Sequence, residues 1–271
     1  MHAPAHDLEV GRIKMLLPER GGHHVILYRH TGSDDPVWPP HECDTAVSFK
    51  GWQAVAQIQR PPAFDWQLPP GVAINFGPRE PLLMQTHFVR SGVAKRKKAS
   101  LTKTMLYPVD PATVTAHAGT LFAHDQTVLI PPGEHTLVNR CAFTGEGSAA
   151  RELKMIGITG HYHVHGTRFE AYRVLADGSL GERLYEWTGF DAPDPRQYDN
   201  LVFHPGEGIE WRCTYQNTGT EPIVFGTDAA RQEHCSLFGL YYPTDTPREA
   251  MDCQHTRDAN GQDVFTRTLI P

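Results

Sequence analysis

The chain has 271 residues, of which 39% are apolar and 10% aromatic. That is enough to build a core and excludes disorder as the main state. The net charge of −6 gives no basic signature for nucleic acid, and no apolar run reaches the roughly 18 residues of a membrane-spanning helix.

In chain order, the sequence offers short β-rich runs separated by Gly, Pro, Asp and Asn, the pattern of sandwiches and barrels. Candidate strands run over residues 24–28, 81–88, 102–109, 121–129, 136–143 and 153–163. Later ones cover 168–175, 183–187, 208–215, 223–226 and 235–242. Ala176-Asp177-Gly178-Ser179 is a hairpin turn between two of them, and Pro131-Pro132-Gly133 is another turn. Lys95-Arg96-Lys97-Lys98 is the one dense basic run, read as a solvated edge or connector. Pro108-Val109-Asp110-Pro111 marks a domain boundary. The first ten residues, MHAPAHDLEV, lack the basic start and apolar stretch of a leader peptide. Five cysteines are too few for a disulfide scaffold but allow one or two bridges in an oxidising compartment.

The anomaly is histidine, present 16 times. His161-Tyr162-His163-Val164-His165 is the strongest local signal. On a strand, alternate residues share a face, which would set these imidazoles side by side with Cα atoms about 6–7 Å apart, an open metal edge. His23 and His24 head an apolar run. Adjacent strand residues point to opposite faces, so the pair can hold one ion only at a strand end or kink, or through different ring nitrogens. His87 ends another apolar run, and His234 precedes Cys235. His2, His6, His30, His41, His117, His124, His135, His204 and His255 have no paired spacing and are taken as terminal, surface or hydrogen-bonded residues.

The series His23-His24-Val25-Ile26-Leu27-Tyr28, then Met84-Gln85-Thr86-His87-Phe88, then His161-x-His163, then Phe225-Gly226, then Glu233-His234-Cys235 through Leu240-Tyr241-Tyr242-Pro243 resembles the copper type II, ascorbate-dependent monooxygenases. That family includes peptidylglycine α-hydroxylating monooxygenase and dopamine β-monooxygenase. The resemblance runs from about Gly21 to Pro243 and extends to Cys253; the spacing from His161 to Tyr172-Arg173-Val174 also fits.

The resemblance implies an all-β chain of two antiparallel, jelly-roll-like β-sandwich domains facing a solvent-filled cleft. The domains would cover residues 1–110, truncated or reduced before His23, and 111–271. It implies two copper ions: an electron-transfer copper at His23, His24 and His87, the first through the ring nitrogen nearer the backbone, and an oxygen-binding copper at His161, His163 and His234. The latter three would be the catalytic residues. The partners implied are O2, ascorbate or a similar one-electron reductant, and a small or extended organic substrate hydroxylated at an sp3 carbon. Cys213–Cys235 matches a family disulfide, Cys141–Cys253 looks like a second, and Cys43 has no evident partner. Family and cysteines together imply an extracytoplasmic location. Gln85 and Glu170 are candidates to orient the metal-binding imidazoles.

Four positions depart from the family. His234 stands where the family has a methionine, exchanging a soft thioether for an imidazole. Thr159, Ser236 and Phe238 stand where the peptide-amidating members have an Arg, an Asn and a Tyr that hold a substrate carboxylate. None makes the charge-assisted contact of an Arg, so peptidylglycine is not the expected substrate. Two further readings compete. Gly157-x5-His163-x-His165-x4-Glu170 resembles the first cupin motif, which holds one Fe(II) or another divalent ion, although Cys213 stands near the place of the second motif's histidine. The chain could also be a non-catalytic copper-binding or degenerate sandwich.

Overall fold

The computed structural model describes residues 1–19, 22–32, 51–59, 61–88, 101–143, 151–189, 193–226 and 228–270. Cys43, His41, Gly21 and the run Lys95-Arg96-Lys97-Lys98 lie outside them. The described residues are almost entirely strand, with one short 3-10 turn at Pro111–Thr113 and no α-helix, so the all-β expectation holds. None of them forms a helix long and apolar enough to cross a membrane. The chain divides into two units: residues 1–118 with 246–248, and residues 119–245 with 249–271.

The first unit contains β1 (Leu8–Leu16), β2 (Gly22–His30), β3 (Trp52–Ile58), β4 (Ala63–Gln67), β5 (Val72–Phe76), β6 (Leu82–Phe88), β7 (Lys103–Pro108) and β8 (Ala116–His117). A three-stranded sheet runs β3-β2-β6; a second runs β4-β1-β5-β8, with β7 also pairing β1. β1 buries Val10, Ile13 and Met15 and leaves Arg12 and Lys14 partly exposed, a one-sided strand broken by a bulge between Val10 and Arg12. β3 is buried throughout, its glutamines included, and the carbonyl of Gln57 accepts the indole N–H of Trp66 at 2.9 Å. Arg29 is buried against Glu80 at 3.4 Å and donates to the Asn75 carbonyl at 2.9 Å. Burial pulls its guanidinium down to about 10, against the favourable field of Glu80.

The second unit contains β9 (Gly119–Asp125), β10 (Leu129–Ile130), β11 (Gly133–Ala142), β12 (Leu153–His161), β13 (Gly166–Val174), β14 (Leu180–Thr188), β15 (Arg196–Phe203), β16 (Gly208–Asn217), β17 (Ile223–Val224), β18 (Cys235–Tyr242), β19 (Ala250–Arg257) and β20 (Asp263–Ile270). A six-stranded sheet, β15-β12-β18-β9-β19-β20, packs on a four-stranded one, β11-β16-β13-β14, with β10 and β17 paired separately. Among the described residues, the named strands pair antiparallel except for β9–β19 here and β5–β8 in the first unit. The strands alternate as a sandwich requires. β16 turns Ile209, Trp211, Cys213 and Tyr215 inward, where they meet Leu121, Met155, Ile158 and Leu237 of the opposite sheet. Its outward residues join a ladder of charges: Arg140 to Glu210 at 2.7 Å, and Arg168 to Glu186 at 2.6 Å on the neighbouring strands.

Two disulfides cross between these sheets. Cys141–Cys253 joins β11 to β19 and Cys213–Cys235 joins β16 to β18, with Cα separations of 5.9 and 5.8 Å. Both pairings are those the family resemblance implied. The hairpin between β13 and β14 also forms as expected. Gly178 takes the left-handed conformation at φ 82°, and Asp177 accepts the Ser179 N–H at 2.9 Å.

Candidate metal centres

The first unit gathers His23, His24 and His87. β2 and β6 are neighbours, and their register sets His24 directly opposite His87. A bulge between Gly22 and His24 breaks the alternation at the start of β2, so two consecutive imidazoles reach the same place. This is the strand-end kink that a His-His pair needs. Nδ1 of His23 lies 3.1 Å from Nδ1 of His24, and the three ring centroids are 4.9–5.2 Å apart. Two nitrogens held about 2.0 Å from one ion in tetrahedral geometry stand about 3.3 Å apart, so this pair fits a single metal. Burial lowers the pKa of His87 and favours the neutral, ligating form. Gln85, two residues before His87, accepts from the hydroxyl of Tyr28 at 3.1 Å.

The second unit gathers His161, His163 and His234, with ring centroids 4.4–5.5 Å apart. In each triplet, one potential ligand atom per residue lies within 4.8 Å of the others. Here the local structure differs from the expected strand face. β12 ends at His161, and after Tyr162 the residues His163 to Gly166 form a turn closed by the Gly166 N–H on the His163 carbonyl at 3.1 Å. Tyr162 is fully buried and its hydroxyl donates to the Gly189 carbonyl at 2.8 Å. A Cβ on Gly166 would stand 2.1 Å from the Tyr162 ring, so this close approach requires glycine. The turn sends His165 elsewhere: its Nδ1 lies 3.1 Å from Glu233. The three-histidine row is therefore not a strand face, and His234, from the segment entering β18, supplies the third ring.

The protonation states follow from the contacts. Nδ1 of His163 lies 2.7 Å from the Gln232 carbonyl, which can only accept, so Nδ1 carries the proton and Nε2 keeps its lone pair. Burial pushes His234 down to about 3, helped by the neighbouring His163 and His124. It is neutral at physiological pH and able to ligate a metal.

Two residues gained importance only in three dimensions. Glu233 is fully buried, and its carboxylate accepts the backbone N–H groups of His163 and His165 at 2.6 and 2.8 Å. His124 was grouped with the uninformative histidines. It is only 2% exposed, lies 3.7 Å from Asp252, and acts on His234 through its field. In the sequence, the one hint of its place was its position before Asp125 at the end of an apolar run.

Glu170 is a correction. It faces outward from β13, accepting from the Tyr172 hydroxyl at 2.7 Å and pairing with Arg168 at 2.9 Å and Arg183 at 3.4 Å. It belongs to the charge ladder and to neither histidine triplet among the described residues. Alternation on β13 decides this, and it removes both the imidazole-orienting role and the carboxylate that the cupin reading required.

The sequence model described as "Copper type II ascorbate-dependent monooxygenase, C-terminal domain" matches residues 116–264, more than half the chain. The chain belongs to this family. The match contains His161, His163 and His234, while His23, His24 and His87 precede it. The family's own description names copper, monooxygenase chemistry and ascorbate dependence. No curated protein matches the chain. Among solved structures, the infectious bursal disease virus Gx strain is similar at 11% identity and a TM-score of 0.26, over 90% of this chain and 60% of that one. The VP2 subviral particle of the same virus is similar at 13% identity and a TM-score of 0.24, over 88% and 57%. The chain thus spans about 60% or less of those chains.

Proposed function

We propose that this chain is a two-centre copper monooxygenase that hydroxylates an sp3 carbon of an organic substrate. O2 would be the oxygen source and ascorbate or a similar one-electron donor the reductant. The observation that carries the reading is that each unit gathers its own triplet of imidazoles. His23, His24 and His87 would hold the electron-transfer copper, and His161, His163 and His234 the oxygen-binding copper. Imidazole suits copper, and three protein ligands per centre leave room for an exogenous one.

Copper, when bound, supplies the one-electron redox chemistry and oxygen activation that no side chain offers. The chain supplies neutral, aimed imidazoles. Burial keeps His234 and His87 unprotonated. The Gln232 carbonyl fixes the His163 tautomer, the kind of outer contact that orients metal-binding histidines. Thr159, Ser236 and Phe238 carry no positive charge, and the Thr159 hydroxyl is engaged with the Pro193 carbonyl at 2.9 Å. A substrate anchored by a terminal carboxylate is therefore not the one proposed. The two disulfides support an extracytoplasmic location.

One feature favours a second reading. An all-imidazole triplet lacks the soft sulfur that favours Cu(I), and it accepts Cu(II) and Zn(II) as well. A protein that only holds metal would have such a site. Elemental mass spectrometry after copper loading tests both readings. We expect about two coppers per chain, falling to about one in His161→Ala, together with oxygen consumption that depends on copper, reductant and substrate. Two coppers without substrate-linked oxygen consumption would favour the holding protein. No tightly held copper would overturn both.

A further inference from the structure

We propose that Glu233 is the positioning residue of the second centre: its carboxylate clamps the turn that carries His163 onto the segment that carries His234, so the three imidazoles converge before any metal arrives. This rests on the reading of His161, His163 and His234 as a metal centre.

The need arises from the backbone. His161 ends β12, so the N–H groups of His163 and His165 leave the ladder of the sheet. A buried N–H must find an acceptor elsewhere. Glu233 provides it, with Oε2 on His163 at 2.6 Å and Oε1 on His165 at 2.8 Å. The contact of Oε1 with Nδ1 of His165, at 3.1 Å, keeps that imidazole apart from the triplet. The clamp has a fixed base. The Glu233 N–H donates to the Val224 carbonyl at 3.1 Å, and its carbonyl accepts the Gly226 N–H at 3.2 Å. The Tyr215 hydroxyl donates to the His234 carbonyl, and Cys235 is bonded to Cys213. Only a carboxylate has two acceptor oxygens for two converging donors. An amide offers one oxygen and turns an NH2 toward the other N–H.

The test uses the full chain with Cu(II) alone as the probe. In Glu233→Gln, copper affinity at the second centre, read by chelator competition with electron paramagnetic resonance, should fall about 10–100-fold, the range for lost outer-sphere support. The affinity of the His23, His24 and His87 centre in the same molecule should not change. Nitrogen NMR of the metal-free chain gives an independent readout. Wild type should show His163 as the Nδ1–H tautomer, and Glu233→Gln should show a mixture. Should that variant not fold, Glu233→Asp, which keeps the charge but shortens the reach, is read by the same two measurements. Unchanged affinity and tautomer would overturn the proposal. So would an equal loss at both centres, which marks a role in the fold alone. If the wild-type second triplet takes no copper while the tautomer still responds to Glu233→Gln, the clamp stands and the monooxygenase reading fails.

Discussion

The two histidine triplets reach similar geometry by different means. His23, His24 and His87 sit on one pair of adjacent strands, where antiparallel register and a single bulge bring the rings together. Their separation in the chain is bridged by ordinary sheet pairing. His161, His163 and His234 sit at a strand end, on a turn and on the approach to a strand, where the β12–β18 ladder holds only His161, opposite Ser236, and does not align the other two. A buried carboxylate, a carbonyl on an imidazole and an adjacent disulfide do that instead. A site on a regular sheet inherits its precision from the sheet. A site on irregular backbone must have each donor and acceptor fastened individually.

The largest test of this contrast is removal of the Cys213–Cys235 bridge. Cys213→Ser with Cys235→Ser should cost the second unit about 2–4 kcal/mol. Copper affinity should fall at the second triplet only, checked by calorimetry and chelator competition. Equal weakening of both triplets would break the contrast. The reciprocal change is Gly22→Ala. A Cβ there would stand 2.5 Å from the Pro18 carbonyl and within 3 Å of Leu17, so the bulge that aims His23 and His24 must shift. We expect a loss of about 1–3 kcal/mol in the first unit, as for other overpacked sites. Copper should weaken there and not at the second triplet.

Alkali should separate the units further. Burial raises the phenols of Tyr185, Tyr215 and Tyr241, and that of Tyr198 to about 12, all in the second unit. The folded state holds these groups neutral while the unfolded chain ionises them near pH 10. Their contribution is therefore complete below about pH 10 and is lost as pH climbs through the folded values. Unfolding midpoints of the second unit should drop from pH 10 upward, in step with phenolate absorbance. The smallest effect belongs to the charge ladder. Arg183 pairs with Glu186 at 2.8 Å, but both are well exposed. Arg183→Ala should change stability by less than about 1 kcal/mol and leave both triplets' copper affinities alone.

Much of this was legible in the residues. β2 and β18 stood out as continuous apolar runs, which burial on both faces imposes, and β16 as a run with alternating apolar residues, which burial on one face imposes. β3 was not seen because its glutamines, buried through partners elsewhere, break the apolar run. β15 and β20 were not seen because edge strands with little buried surface carry mostly polar residues. The six histidines proposed as metal ligands were singled out by their order along the chain, which resembles a family, and not by local spacing alone; the structure gathers them into two triplets. Local spacing in fact misled at His165, where alternation suggested a shared strand face and a turn intervened.

By itself, then, the sequence determined the all-β fold class and the departure at His234, because composition and motif order are properties of the chain; the cysteine pairs and the six candidate ligand histidines came from its resemblance to a family. Only the tertiary structure decided that Glu170 belongs to the charge ladder, that His124 is buried, and that the Glu233 carboxylate accepts the N–H groups of His163 and His165. Those roles depend on which atoms meet across strands far apart in sequence. A carboxylate becomes a clamp only when buried N–H groups have no other acceptor.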